Sequence, residues 1–190
     1  MPVSRPQSLH GIEFTAISSR RLAELSIATL GIYLFYWFYR NWQAVKKADK
    51  SRISPFWRAL LAPFYSCSLF KRILESAQKI GYKGKYSPWL QTLIFMVLSL
   101  LAYDRGILDT SRRANYLFII FGAVIYLPIL PVQAAVNFYR AEQTGASPER
   151  TGFTPGEMLV VVFGIILAVS AVLSYCFYRY WRCKLFFIQV

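Results

Sequence analysis

The stretch from Leu22 to Trp42 constrains the fold more than any other part of this sequence. Its first 18 residues, 22–39, carry a single charge, Glu24. As one helix they would be about 27 Å long, close to the thickness of the hydrocarbon core of a bilayer. Aromatic residues crowd the far end and Arg40 follows them, an order typical of a helix that reaches the lipid–water boundary. We therefore expect a membrane segment at 22–39.

The aromatic and basic end of this stretch is a candidate contact surface for lipid headgroups. Tyr and Trp rings prefer the headgroup level, and cations are attracted to anionic lipids. The residues assigned to this surface are Trp37, Tyr39, Arg40, Trp42, Lys46 and Lys47. The alternative interpretation of the same rings is a ring-lined site for a lipid or another ligand.

Composition also indicates a membrane protein. Of 190 residues, 56% are hydrophobic and 17% are aromatic, which is unusual for a soluble domain of this size. The formal net charge is +13, but the cations lie in short links between apolar runs. That placement favours anionic headgroups of membrane lipids as partners and argues against nucleic-acid binding.

Five apolar segments organise the chain into one domain at 22–190, after a polar N-terminal segment at 1–21. The segments are 22–39, 55–80, 89–103, 116–138 and 158–178. Segment 55–80 should be bent at Pro63 or partly interfacial, and Pro128 and Pro131 should kink segment 116–138. The pattern predicts an all-α membrane protein, a small polytopic helical bundle. It has four to five membrane segments, of which one is re-entrant or interfacial.

Three predicted helix starts share one sequence pattern, a hydroxyl residue followed by proline. They are Ser54-Pro55, Ser87-Pro88 and Thr154-Pro155. A hydroxyl side chain can cap a helix, and proline suits the first helical position. Glu157 completes a capping-box pattern after Thr154.

Two motifs in the first segment resemble a known class of proteins. Thr29-Leu-Gly-Ile-Tyr33 followed by Tyr36-Trp-Phe-Tyr-Arg40 resembles the central segment of a family of bacterial inner-membrane proteins of unknown function. Ser54-Pro-Phe-Trp-Arg58, and Leu130-Pro-Val-Gln133 with Asn137, look like further motifs of uncharacterised homologues. The resemblance covers about 40 of the 190 residues. It implies a bacterial inner-membrane setting and implies no established activity, and the count of apolar segments makes us expect a multi-pass protein there.

Three polar residues inside apolar segments are candidates for an intramembrane role: Arg58, Gln133 and Asn137. Gln133 and Asn137 lie four residues apart and share a helix face, where amides seek partners. They either hold helices together or form part of a polar path. Arg58 either extends to the headgroups or pairs inside the bundle.

The sequence assigns no catalytic, cofactor-binding or metal-ligating residues. His10 is the only histidine, the cysteines Cys67, Cys176 and Cys183 form no C-x-x-C, and no nucleotide-binding loop is present. We expect a non-enzymatic inner-membrane protein, an accessory or scaffold of a membrane complex, with an unidentified membrane protein as its partner. The alternative is a small permease or channel-like transporter that uses the polar groups of the kinked fourth segment.

The link 40–55 indicates the orientation of the chain. It contains five cations, Arg40, Lys46, Lys47, Lys50 and Arg52. Cytoplasmic links carry an excess of Lys and Arg, so we expect this link in the cytoplasm.

Overall fold

A computed structural model of this chain describes residues 12–107, 120–145 and 154–188. All regular secondary structure in these ranges is helical. The helices are α1 (Ser19–Ala28), α2 (Ile32–Asp49), α3 (Pro55–Leu60), α4 (Ala62–Gln78), α5 (Pro88–Ile107), α6 (Leu130–Thr144) and α7 (Pro155–Ile188). These ranges contain no strand, which confirms the predicted all-α class there. Within the described residues, one helical stretch, Ile120–Thr144, which includes α6, is long and apolar enough to cross a membrane, with a mean hydropathy of 1.7; Pro88–Ala102 and Pro155–Leu167 are shorter apolar helical stretches.

The chain breaks between α1 and α2, so 22–39 is not the single helix that its composition suggests. Leu30 and Gly31 both adopt the left-handed conformation, with φ of 49° and 87°. The N–H of Gly31 donates to the carbonyl of Ser26 at 2.7 Å, and that of Leu30 to Ile27 at 3.1 Å. These two bonds form a Schellman ending, which satisfies the last carbonyls of α1.

Thr29 both closes α1 and opens α2. Its Oγ1 donates to the carbonyl of Leu25 at 2.8 Å and accepts from the N–H of Tyr33 at 3.0 Å. Gly164 of α7 packs against it so closely that a Cβ there would lie 2.7 Å from the Thr29 Cβ. We call residues Thr29–Tyr33 the elbow. The elbow turns the chain and lets α7 approach closely.

Helix α2 supplies much of the buried core and contacts α1, α3, α4 and α7. The Phe38 ring lies 6.0 Å from the Phe70 ring of α4 and 5.3 Å from the Phe95 ring of α5. The buried apolar residues of α2 are Tyr33, Leu34, Trp37, Phe38, Trp42, Ala44 and Val45. A helix buried on this scale organises its neighbours, because each one covers part of its surface.

Segment 55–80 forms two helices, because the chain leaves helical geometry at Leu61, with φ of −97° and ψ of 36°. Pro63 follows in the first turn of α4. Proline lacks an N–H, and in a continuous helix its ring would clash with the carbonyl of Ala59. The interruption therefore falls just before the proline.

The three proline-marked helix starts are confirmed, since α3, α5 and α7 begin at Pro55, Pro88 and Pro155. The capping box is complete: the N–H of Thr154 donates to Glu157 Oε2 at 2.8 Å, and the N–H of Glu157 donates to Thr154 Oγ1 at 3.2 Å.

Proline also disturbs the stretch that precedes α6. Leu127–Ile129 is a 3₁₀ turn containing Pro128, and Pro131 lies in the first turn of α6. The first four residues of the predicted segment 116–138 lie outside the described residues.

Large apolar side chains cover much of the outer surface of the described helices. Those most exposed on α3 and α4 are Phe56, Trp57, Leu60 and Phe64, and those on α5 are Trp89, Leu90 and Leu100. On α7 they are Met158, Leu159, Val162, Phe163, Ile165, Ile166, Leu167, Val169, Leu173 and Phe177. Surfaces of this kind normally meet lipid or another protein.

Candidate functional site: a buried polar seam

One face of α2 carries three polar groups into the interior. Tyr33, Trp37 and Asn41 follow each other at intervals of four residues, and each is 0% exposed. This spacing places their side chains one above another on the same face. Each reaches a different part of the chain, and we call these residues, with Gln133 and Glu157, the polar seam.

Gln133 forms the centre of the seam. The indole Nε1 of Trp37 donates to its Oε1 at 2.6 Å. Its Nε2 donates to the Ile17 carbonyl at 3.0 Å and to Asn137 Oδ1 at 2.8 Å, with the Thr15 carbonyl at 3.3 Å. An indole can only donate, so the Gln133 oxygen must face Trp37. The amide thereby ties α6 to α2 and to the segment before α1.

That N-terminal segment is held through its main chain. The N–H of Thr15 donates to Asn41 Oδ1 at 3.1 Å, and the N–H of Ile12 donates to the Tyr139 hydroxyl at 3.2 Å. The Phe14 side chain is 2% exposed and meets the Tyr139 ring edge-on at 5.6 Å. Residues 12–17 are thus packed between α2 and α6. The predicted polar segment at 1–21 therefore contains a part that is packed into the core.

Glu157 anchors the other end of the seam. Its side chain is 7% exposed, accepts from the Tyr33 hydroxyl at 3.2 Å and lies 3.9 Å from Arg21 Nη2. The Tyr36 hydroxyl lies 3.2 Å from Thr154 Oγ1 in the same region. A buried carboxylate needs such partners, because burial without them is costly. The start of α7 is therefore fixed to α1 and α2 by charge and hydrogen bonds.

Arg58 stacks on aromatic rings. Its guanidinium lies 4.4 Å from the centre of the Trp42 ring and 5.4 Å from that of Tyr65. Both distances are within the range of a cation–π interaction. The residue therefore contacts α2 and α4, and it is separate from Gln133 and Asn137, which bond to each other.

The structure divides the predicted lipid-interface residues. Trp37 is 0% exposed and Trp42 is 1% exposed, so neither ring is on the outer surface that an interface belt requires. The predicted interface position is therefore wrong for these two rings, because Trp37 bonds to Gln133 and Trp42 is covered by the guanidinium of Arg58. Tyr39 is half-buried, whereas Arg40, Lys46 and Lys47 are exposed.

The chemistry of the seam is that of mutual hydrogen bonding. Within the described ranges, no group of three or more His, Cys, Asp or Glu side chains is placed to hold a metal ion. The capping-box pattern already marked Glu157, but its contacts with Arg21 and Tyr33 have no local signal in the sequence. Those contacts join residues more than a hundred positions apart.

Comparison with protein families, with curated proteins and with solved structures finds no match to this chain. The resemblance of the first segment to bacterial inner-membrane proteins therefore stays a prediction that depends on its motifs. The structure adds a physical meaning to the Thr29-Leu-Gly-Ile-Tyr33 motif, since these residues form the elbow.

Proposed function

We propose that this chain is a multi-pass protein of the bacterial inner membrane that acts as a non-enzymatic accessory or scaffold of a membrane complex. The observation that carries the proposal is the distribution of polarity. Bonded polar groups such as Gln133 and Glu157 lie inside, while large apolar side chains lie outside. Such a surface is costly in water and favourable in lipid.

The composition of helix α7 adds to the support for the membrane setting. Residues 158–177 contain no charged side chain. At 1.5 Å per residue they extend about 30 Å, the thickness of a hydrocarbon core. Exposed apolar residues point in many directions around this helix, from Met158 to Phe177. A helix that is apolar all round suits a lipid environment or burial in an assembly.

The bonding of the seam supports a scaffold over a transporter. Gln133 is fully buried and its oxygen and nitrogen both have partners inside the chain. Polar groups of a transport path must instead exchange partners with water or substrate. The seam is therefore better suited to fixing the arrangement of helices.

Membrane integration is tested by extraction of native membranes with alkaline carbonate and then with detergent. We expect the chain to resist carbonate and to be released by detergent, and release by carbonate would contradict the membrane setting. The scaffold role is tested by mild-detergent purification after crosslinking in native membranes. We expect a stoichiometric membrane-protein partner, and recovery of the chain alone would contradict the role.

A further inference from the structure

The outer face of α4 forms a basic cleft. The cleft has a volume of about 450 Å³ and is lined by Ile12, Ser68, Lys71, Arg72, Glu75, Ser76 and Lys79. Apart from Ile12, these residues lie on α4 or, for Lys79, at its C-cap, and their spacing places them on one helix face. Ile12 lines the cleft from the segment before α1, whose main chain is held by the Tyr139 hydroxyl.

The cations of the cleft are only partly neutralised. Arg72 pairs with Asp49 at the end of α2. Lys71 Nζ lies 3.9 Å from Glu75 Oε1, but the two side chains are 71% and 54% exposed, so this pair is weak. Lys79 makes no ion pair within the part of the chain that the structure describes. The cleft therefore keeps ammonium groups and the Ser68 and Ser76 hydroxyls for an anion.

The cleft lies where the surface of α4 changes from apolar to charged. Phe64 is 73% exposed in the first half of the helix, and Lys71 is exposed seven residues later. Seven residues of helix correspond to about 10 Å, so the apolar surface gives way to cations over a short distance. A lipid headgroup lies next to hydrocarbon in the same way.

The loop after α4 carries further basic residues. Lys83 and Lys85 are exposed, and the Trp89 side chain that follows is 67% exposed. The Tyr86 hydroxyl donates to the Phe70 carbonyl at 2.8 Å and ties the loop to α4. Burial raises the pKa of Tyr86 well above its ordinary value, so the hydroxyl remains protonated and keeps donating. An exposed Trp beside cations is typical of a membrane interface.

We propose that the cleft on α4 binds the phosphodiester headgroup of an anionic phospholipid, a site that rests on the proposed membrane function. Lys71 and Lys79 are placed to contact the phosphate oxygens, and Ser68 and Ser76 are placed to donate hydrogen bonds to them. The cleft thus differs from the sequence-predicted lipid surface at the end of α2. Its occupant is a lipid because the apolar surface of α4 adjoins it.

The test measures binding of phosphatidylglycerol by the full chain in phosphatidylcholine nanodiscs. The variant Lys71→Gln, Lys79→Gln is compared with Lys50→Gln, Arg52→Gln, which removes the same charge from the exposed link after α2, outside the cleft. Two surface charges near anionic lipid correspond to about a 10- to 30-fold change in affinity. We expect that loss in the cleft variant and less than about twofold in the control.

Equal losses of lipid affinity in both variants would overturn the site, because they would indicate a general attraction between cations and anionic lipid that does not depend on the cleft. No loss in the cleft variant would overturn it as well. Release of the lipid by inorganic phosphate would assign the cleft to a soluble phosphate instead. The variant Lys71→Arg, Lys79→Arg should retain binding, and if it fails while remaining folded, charge is not the basis. Carbonate extraction separates these outcomes from failure of the membrane setting itself.

Discussion

Replacing Gln133 with methionine removes the centre of the polar seam while keeping side-chain length. The change deletes the acceptor for the Trp37 indole, which is 0% exposed, and the donors to the Ile17 carbonyl and Asn137. Methionine fills similar space, so the effect should come from lost hydrogen bonds and not from a cavity.

The expected loss of stability is about 2 kcal/mol. Leaving one buried donor such as the Trp37 N–H unpaired costs about 1–3 kcal/mol. Hydrogen bonds between membrane helices average about 0.6 kcal/mol, so the loss of three bonds leads to a similar figure. For a chain of this size, 2 kcal/mol corresponds to a decrease in Tm of about 4–8 °C.

The assay is thermal unfolding of the purified chain in detergent, followed by near-ultraviolet circular dichroism. Gln43→Met is the matched control, because Gln43 is half-buried and its side chain donates a hydrogen bond to the Tyr39 hydroxyl on its own helix. We expect the control to shift the free energy of unfolding by less than about 0.5 kcal/mol. Equal shifts in the two variants would refute the assignment of Gln133 as the centre of the seam.

Three further predictions test the elbow, the end of the seam and the orientation. Gly31→Ala should lower the free energy of unfolding by about 2 kcal/mol, since φ is +87° and a Cβ would lie 2.9 Å from a neighbouring side chain. At Gly145 nothing lies within 4 Å of an added Cβ, so Gly145→Ala should lower it by about 1 kcal/mol or less. Glu157→Gln should lower stability in detergent by about 2 kcal/mol, because it removes a buried charge partner, while the exposed Glu142→Gln should be neutral. A cysteine at the exposed Ala48 should react with an impermeant reagent in inverted vesicles but not in intact cells.

Each of these outcomes has a result that contradicts it. Equal losses of stability at the two glycines would show that the close contact at Gly31 does not contribute to the stability of the elbow. Identical melting of the two Glu variants would show that Glu157 carries no structural charge pair. Labelling of intact cells at position 48 would place the link 40–55 on the outside.

Local signals allowed the helix starts to be predicted, but not the elbow. A hydroxyl residue before proline acts within one turn, so Pro55, Pro88 and Pro155 could be placed from the sequence. The break at Thr29 and Gly31 lies inside an apolar run. A hydropathy pattern contains no information on backbone conformation, so it does not indicate a left-handed residue. Gly31 was visible, but its conformation depends on α1 ending there.

The aromatic residues show the same limit. Trp37 and Trp42 lie inside, while Trp57 and Trp89 lie outside, at 61% and 67% exposure. A Trp side chain suits both a buried core and a membrane interface, so composition does not separate the two. The buried pair is distinguished by partners, Gln133 and Arg58, which other helices bring to it.

The sequence by itself determined the helical class and the helix starts, because these depend on side chains within a few residues of each other. It also determined that Gln133 and Asn137 share one helix face. Only the tertiary structure decided that Gln133 bonds to Trp37, 96 positions away, and that Glu157 bonds to Tyr33, 124 positions away. Such pairs form when packing brings distant helices together, and the burial that results makes each hydrogen bond necessary.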